Sequence, residues 1–129
     1  MGNIISCSGE KNYIKEEDEE ELYNFPDIEN FIHKYNCSIT ESTYKLIIKN
    51  HKYNLYLCDN NLILKDIKNE FIFIYNNIIA WTVTEHFFGF TYKNANKIEE
   101  IIIQVDNANK LAHNLKKIIY DLANYYKNI

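Results

Sequence analysis

The chain has 129 residues, 47% of them apolar and 25% charged, a profile that fits one soluble domain with a core and excludes collagen, wholesale disorder and a disulfide-stapled miniprotein. All 14 basic residues are Lys and none is Arg, which together with the abundance of Asn, Ile, Lys and Tyr reads as the codon bias of an AT-rich genome. The net charge of −4 is unevenly divided, with two Lys against nine acids in residues 1–30 and twelve Lys against nine acids in residues 31–129; lacking Arg and a strongly basic patch, the chain is not expected to bind nucleic acid.

Met1-Gly2-Asn3-Ile4-Ile5-Ser6 fits the pattern M-G-x-x-x-[ST] for removal of Met1 and myristoylation of the Gly2 amine. Cys7 follows directly as a thiol open to palmitoylation, with an exposed reduced thiol as the plain alternative. One myristoyl chain gives only marginal binding, of the order of 10⁴ M⁻¹, so stable anchoring needs a second acyl chain or a polybasic patch. No basic patch adjoins this motif, and the six carboxylates Glu16 to Glu21 would be repelled by an anionic leaflet. Cys7 is therefore the expected second anchor. Ile4 and Ile5 are too short an apolar run for a secretory signal, and no stretch approaches the ~18 residues needed to span a bilayer. Three Cys without a CxxC (Cys7, Cys37, Cys58) suit a reducing, cytoplasmic setting.

The acidic run cannot bury apolar surface, so residues 1–26 are predicted to be a solvated tether and residues 27–129 a folded domain. After Pro26, Asp27 is expected to cap a short helix from Ile28 to about Tyr35, in which Ile28, Phe31, Ile32 and Tyr35 fall at i, i+3, i+4 and i+7. Seven strands follow at about 38–49, 52–58, 62–67, 71–75, 78–85, 87–93 and 98–105, divided by Asn-rich turns so short that neighbours must be antiparallel. Asp106 or Asn107 then caps a helix of roughly twenty residues with the apolar stripe Ala108, Leu111, Ala112, Leu115, Ile118, Ile119, Leu122 and Tyr126. The expected class is mainly β: a seven-stranded antiparallel, partly open barrel or two-sheet sandwich closed at one end by a C-terminal helix.

Enzyme chemistry finds no support. Cys37 and Cys58 sit in predicted strands without metal-site spacing to any His, and read as buried inert thiols. With Gly only at positions 2, 9 and 89 there is no phosphate-cradling loop or nucleophile elbow, and no cofactor is expected. Phe87 to Tyr92 has the aromatic look of an RNA-reading strand but lacks that motif's basic residue and leading Gly, so it is assigned to the core. Lys45, Lys49 and Lys52 flank the first turn, with Lys45 and Lys49 on one strand face, either as a headgroup-binding cluster or as a solvated lysine face. Tyr120 and Tyr125 lie off the helix stripe as candidates for a protein contact.

Gly2, Ser6 and Cys7, then an acidic tether, then seven strands and a helix with Trp81 and the Phe87 to Tyr92 stretch, resemble the inner-membrane-complex sub-compartment proteins of apicomplexan parasites, a small family with a pleckstrin-homology (PH) fold. The resemblance implies a non-enzymatic scaffold, myristoylated at Gly2 and palmitoylated at Cys7 by acyltransferases. It would sit on the cytoplasmic face of the inner membrane complex, recruit protein partners through its PH-like domain, and act in cell polarity or daughter-cell assembly. The alternative is a phosphoinositide-binding PH domain using Lys45, Lys49 and Lys52. Against that stand the absence of Arg, which the headgroup motif of ordinary PH domains requires, and a C-terminal helix without Trp.

Overall fold

Short runs of β-branched and aromatic residues, each ended by Asn or Asp, give this chain its strands. A computed structural model describes residues 25–127; Gly2, Cys7 and the acidic run lie outside the described residues. Seven strands form one antiparallel sheet: β1 (His33–Ser42), β2 (Lys52–Leu57), β3 (Asn61–Lys65), β4 (Glu70–Ile74), β5 (Ile78–Val83), β6 (Phe87–Asn94) and β7 (Lys97–Val105). Helix α1 (Ala108–Lys127) follows, with Asn107 just before it accepting the Leu111 amide on its carbonyl at 2.9 Å. A single 3-10 turn, Tyr75–Asn77, joins β4 to β5.

The strand order is β4-β3-β2-β1-β7-β6-β5, so the first and last strands meet at the middle of the sheet. The sheet curls. Phe73 on edge strand β4 meets Phe90 and Tyr92 of β6, five strands away in the order, with ring centroids 5.1 and 4.9 Å apart, and the Tyr92 hydroxyl accepts the Ile74 amide at 3.3 Å. Such contacts close an open barrel around the alternating inward residues Cys37 and Ile39, Tyr53, Leu55 and Leu57, Leu62 and Leu64, Phe88 and Phe90, and Ile101, Ile103 and Val105. Ala108, Leu111, Ala112 and Leu115 of α1 are buried against this core, and the Asn114 amide donates to the Tyr35 hydroxyl near the start of β1 at 2.7 Å. The helix therefore closes the end at which β1 begins.

The expected helix at 28–35 does not form, and the first strand is displaced from 38–49 to His33–Ser42. The residues that share a helical period also belong to a period of two, because Tyr35, Cys37 and Ile39 all point inward and pairing with β2 and β7 satisfies the backbone on both sides. Asn30, at φ 61°, turns the chain where a helix would have to continue. Residues 25–32 instead form an extended strap over the outer face of β2 and β3. Ile28 and Phe31 cover Tyr56, Cys58 and Ile63, the Phe31 and Tyr56 rings lie 5.1 Å apart, and the Ile32 amide donates to the Leu57 carbonyl at 2.8 Å. Asp27 pins the strap by accepting from the Tyr56 hydroxyl and the Lys34 ammonium, each at 2.8 Å.

Tyr126, expected on the buried stripe of the helix, is exposed along with Tyr120 and Tyr125. A twenty-residue helix is about 30 Å long, and its last turns overhang the barrel end: burial is complete to Leu115 and partial at Ile118, Ile119 and Leu122.

Candidate functional site

The antiparallel order puts three connections at the barrel end away from α1: β1–β2 (residues 43–51), β3–β4 (66–69) and β6–β7 (around Ala95). Lys45 and Lys49, expected on one face of a strand, lie in the first of these loops, and Lys52 opens β2. The run from Tyr44 to Lys49 has strand-like composition, yet it leaves the sheet because Tyr44 and Ile47 turn back into the barrel mouth. Ile47 is buried, and the Tyr44 ring packs edge-on against Phe71 and Phe73. The Tyr53 hydroxyl accepts the Ile48 amide at 3.2 Å.

Hydrogen bonds hold the loop in place from both sides. The Thr43 hydroxyl donates to buried Glu99 at 2.6 Å and accepts the Glu100 amide at 2.8 Å. On the other side His51 Nε2 meets Asp66 Oδ2 at 2.8 Å. Asp66 also caps the β3–β4 turn, its other oxygen accepting the amides of Lys68 at 2.9 Å and Asn69 at 2.6 Å. Burial works against the Asp66 charge, but the Asn69 and Lys68 amides and His51 outweigh it and hold its pKa below the usual 3.8.

With Tyr44 and Ile47 turned inward, Leu46 and Ile48 point to solvent, 65% and 52% exposed, beside Ile67 of the β3–β4 turn at 69%. Lys45 and Lys49 flank Leu46 and Ile48 in the loop, and Lys68 follows Ile67 in the turn. Lys49 pairs with Glu41 at 3.2 Å. The lysines here stand out in the sequence but the aliphatic tips do not, because Lys45-Leu46-Ile47-Ile48-Lys49 has the composition of a strand.

Cys37 and Cys58 are buried thiols, as expected. Burial pushes Cys37 up to about 12, and Cys58 is raised by burial and by Asp59 and Glu70, so neither thiolate forms readily at neutral pH. Phe88, Phe90 and Tyr92 belong to the core, as expected, while Phe87 faces out. Among the described residues, no cluster of three or more His, Cys, Asp or Glu could hold a metal, and no helix is long and apolar enough to cross a membrane. Tyr120 and Tyr125 lie on the outer side of α1 beside Tyr126, which also lines a groove of about 330 Å³ with Ile74, Tyr75, Ile119 and Leu122. Compared with known proteins, the chain matches no family model and no curated protein.

Proposed function

We propose that the chain is a non-enzymatic, lipid-anchored adaptor whose acyl chains at Gly2 and Cys7 fix it to the cytoplasmic face of a membrane while the barrel recruits protein partners. The observation that carries this reading is the Gly2, Ser6 and Cys7 pattern. On the resemblance drawn from the sequence, the fold is PH-like, the membrane is the inner membrane complex, and the role lies in cell polarity or daughter-cell assembly. Tyr120 and Tyr125 on the overhanging part of α1 offer the aromatic character typical of partner contacts.

In membrane pelleting from the protein's own cells, the wild-type chain is expected in the pellet, hydroxylamine is expected to release part of it by cleaving the Cys7 thioester, and Gly2→Ala is expected to be soluble. Equal pelleting of Gly2→Ala would show that acylation does not target the protein.

A second reading, recognition of a phosphoinositide headgroup, is supported by the placement of Lys45 and Lys49 in one loop at the barrel mouth with Lys52 just beyond it. It predicts that full-length Gly2→Ala binds liposomes in a headgroup-dependent manner and that adding Lys49→Glu abolishes this binding. Indifference to headgroup identity would refute it.

A further inference from the structure

The strap 25–32 fixes where the preceding chain meets the barrel. β1 starts at the helix end, but the strap before it runs back along the outside of β2 and β3, past Tyr56 and Ile63, until the Phe25 ring lies 4.9 Å from Lys65 Nζ. Lys65 is the last residue of β3 and pairs with Glu70 across the β3–β4 turn, so Phe25 stands at the loop end, on the outer face of the sheet. Only Leu22, Tyr23 and Asn24 separate it from the carboxylate run Glu16–Glu21. Even a fully extended chain, at about 3.6 Å per residue, keeps Glu21 within about 14 Å of Phe25 and Glu16 within about 32 Å.

That end of β1 to β4 carries five lysines. Lys52 and Lys65 stand on the outer face, because Tyr53, Leu55 and Leu64 take the inward places beside them, and the register that sets Asn54 opposite Lys65 makes the two lysines diagonal neighbours. Lys45 and Lys49 lie in the β1–β2 loop and Lys68 in the β3–β4 turn. The carboxylates at this end do not balance them. Asp66 is buried and committed to His51 and two turn amides, which leaves Glu41, bound to Lys49 at 3.2 Å, and Glu70, opposite Lys65. Five positive charges against two leave the surface basic, while the six carboxylates a few residues before Phe25 repel one another. Single exposed ion pairs are weak and screened by salt, but so short a link holds the run over this surface at an effective concentration of the order of millimolar.

We infer that Lys45, Lys49, Lys52, Lys65 and Lys68 form the docking surface for the chain's own acidic run, Glu16–Glu21, which folds back over them as an electrostatic clasp. The inference goes beyond the adaptor reading and holds with or without acyl chains on Gly2 and Cys7. In the clasped chain the lysines that a headgroup would need are neutralised from within, and α1, at the opposite end of the barrel, stays open.

The test is zero-length crosslinking of the full-length chain with a carbodiimide, which joins a carboxylate to an amine only where the two touch. Isotope-labelled and unlabelled protein are mixed, so that bonds within one copy are told from bonds between copies, and the tryptic peptides are read by mass spectrometry. The expected bonds run within one copy from Glu16–Glu21 to the five lysines, with none to Lys110, Lys116 or Lys117 on α1. Their yield should fall about tenfold or more between about 0.1 M and about 1 M salt, as the Debye length shrinks from about 10 to about 3 Å. Lys45→Glu combined with Lys68→Glu reverses the balance to three lysines against four acids at two exposed positions outside the strap and the core. In this variant, with its thermal melt checked against wild type, the yield at Lys49, Lys52 and Lys65 should fall severalfold. An unchanged yield there would overturn the clasp, since closeness through the short link alone would then explain the bonds. Bonds spread evenly onto the lysines of α1, or no bond from the run at low salt, would also overturn it. Bonds only between copies would do the same and assign the run to a second copy. None of these outcomes bears on the Gly2→Ala pelleting test, so the clasp and the anchor reading fail separately.

Discussion

Phe73→Ala is expected to destabilise the domain by about 3–5 kcal/mol, the usual range for truncating a buried Phe, and to lower Tm by roughly 15 °C or more. Phe73 is 1% exposed. Its ring meets those of Phe90, Tyr92 and Tyr44 edge-on, an arrangement that adds to area burial. It joins edge strand β4 to the far half of the sheet, where no backbone ladder connects them. Losing it removes a core side chain and also loosens the closure of the barrel. Thermal unfolding followed by circular dichroism measures the effect, and a loss below about 1 kcal/mol would mean that the curl is held elsewhere.

Asp66→Ala is expected to cost about 2–3 kcal/mol at neutral pH, since two turn amides and His51 lose a charged acceptor in a buried setting. The pH dependence gives a sharper test. The folded pKa of Asp66 lies below its ordinary value, so its charge contributes stability that is fully present above the unfolded pKa near 3.9 and is lost as pH falls through the folded pKa. Asp66→Asn keeps the shape without the charge. Wild type should therefore exceed Asp66→Asn in Tm from about pH 5 upward, and the difference should shrink steadily below about pH 4. A difference that stays constant between pH 7 and pH 3 would show that the carboxylate charge contributes nothing. Asp27 is also held low, by Lys34 and Tyr56, and adds to the acid sensitivity of both proteins equally, so it cancels in the difference between wild type and Asp66→Asn.

Much of the architecture could be read from the sequence because its determinants are local. Strands β2 to β7 fall within two residues of their expected limits, since Asp59 to Asn61, Lys68-Asn69 and Asn76-Asn77 break β-rich runs by their own turn chemistry. Likewise the spacing of Ala108, Leu111, Ala112 and Leu115 marks the buried face of α1 without knowledge of what it covers. The strap was not legible. Ile28, Phe31, Ile32 and Tyr35 fit a helix, and only the distant Tyr56 and Ile63 make extended chain the better choice at residues 25–32. The β1–β2 loop escaped for a related reason: Tyr44 and Ile47 leave the strand to reach Phe71, Phe73 and the barrel mouth, and that destination lies across the sheet. Lys45 and Lys49 were visible as lysines, while the exposure of Leu46 and Ile48 follows from the inward turn of their neighbours. Tyr120 and Tyr125 were correctly placed off the stripe because a helix periodicity suffices for that, whereas Tyr126 depended on where the barrel ends.

The seam between β1 and β7 also sets a timetable. Ile39 on β1 pairs with Ile103 on β7, so the central strand of the sheet waits for a partner about sixty residues later in the chain, and α1 comes later still. At the ordinary pace of synthesis, 5–20 residues per second, that wait is roughly 3–12 s. During it one edge of β1 stays unpaired and the inward faces of β2 and β3 lack their cover from β6 and α1. A ladder of such long sequence separation also belongs among slow-folding topologies. The nascent chain is thus most prone to aggregate before Val105 is made, and a truncation that removes β7 would take away the middle of the sheet rather than its edge.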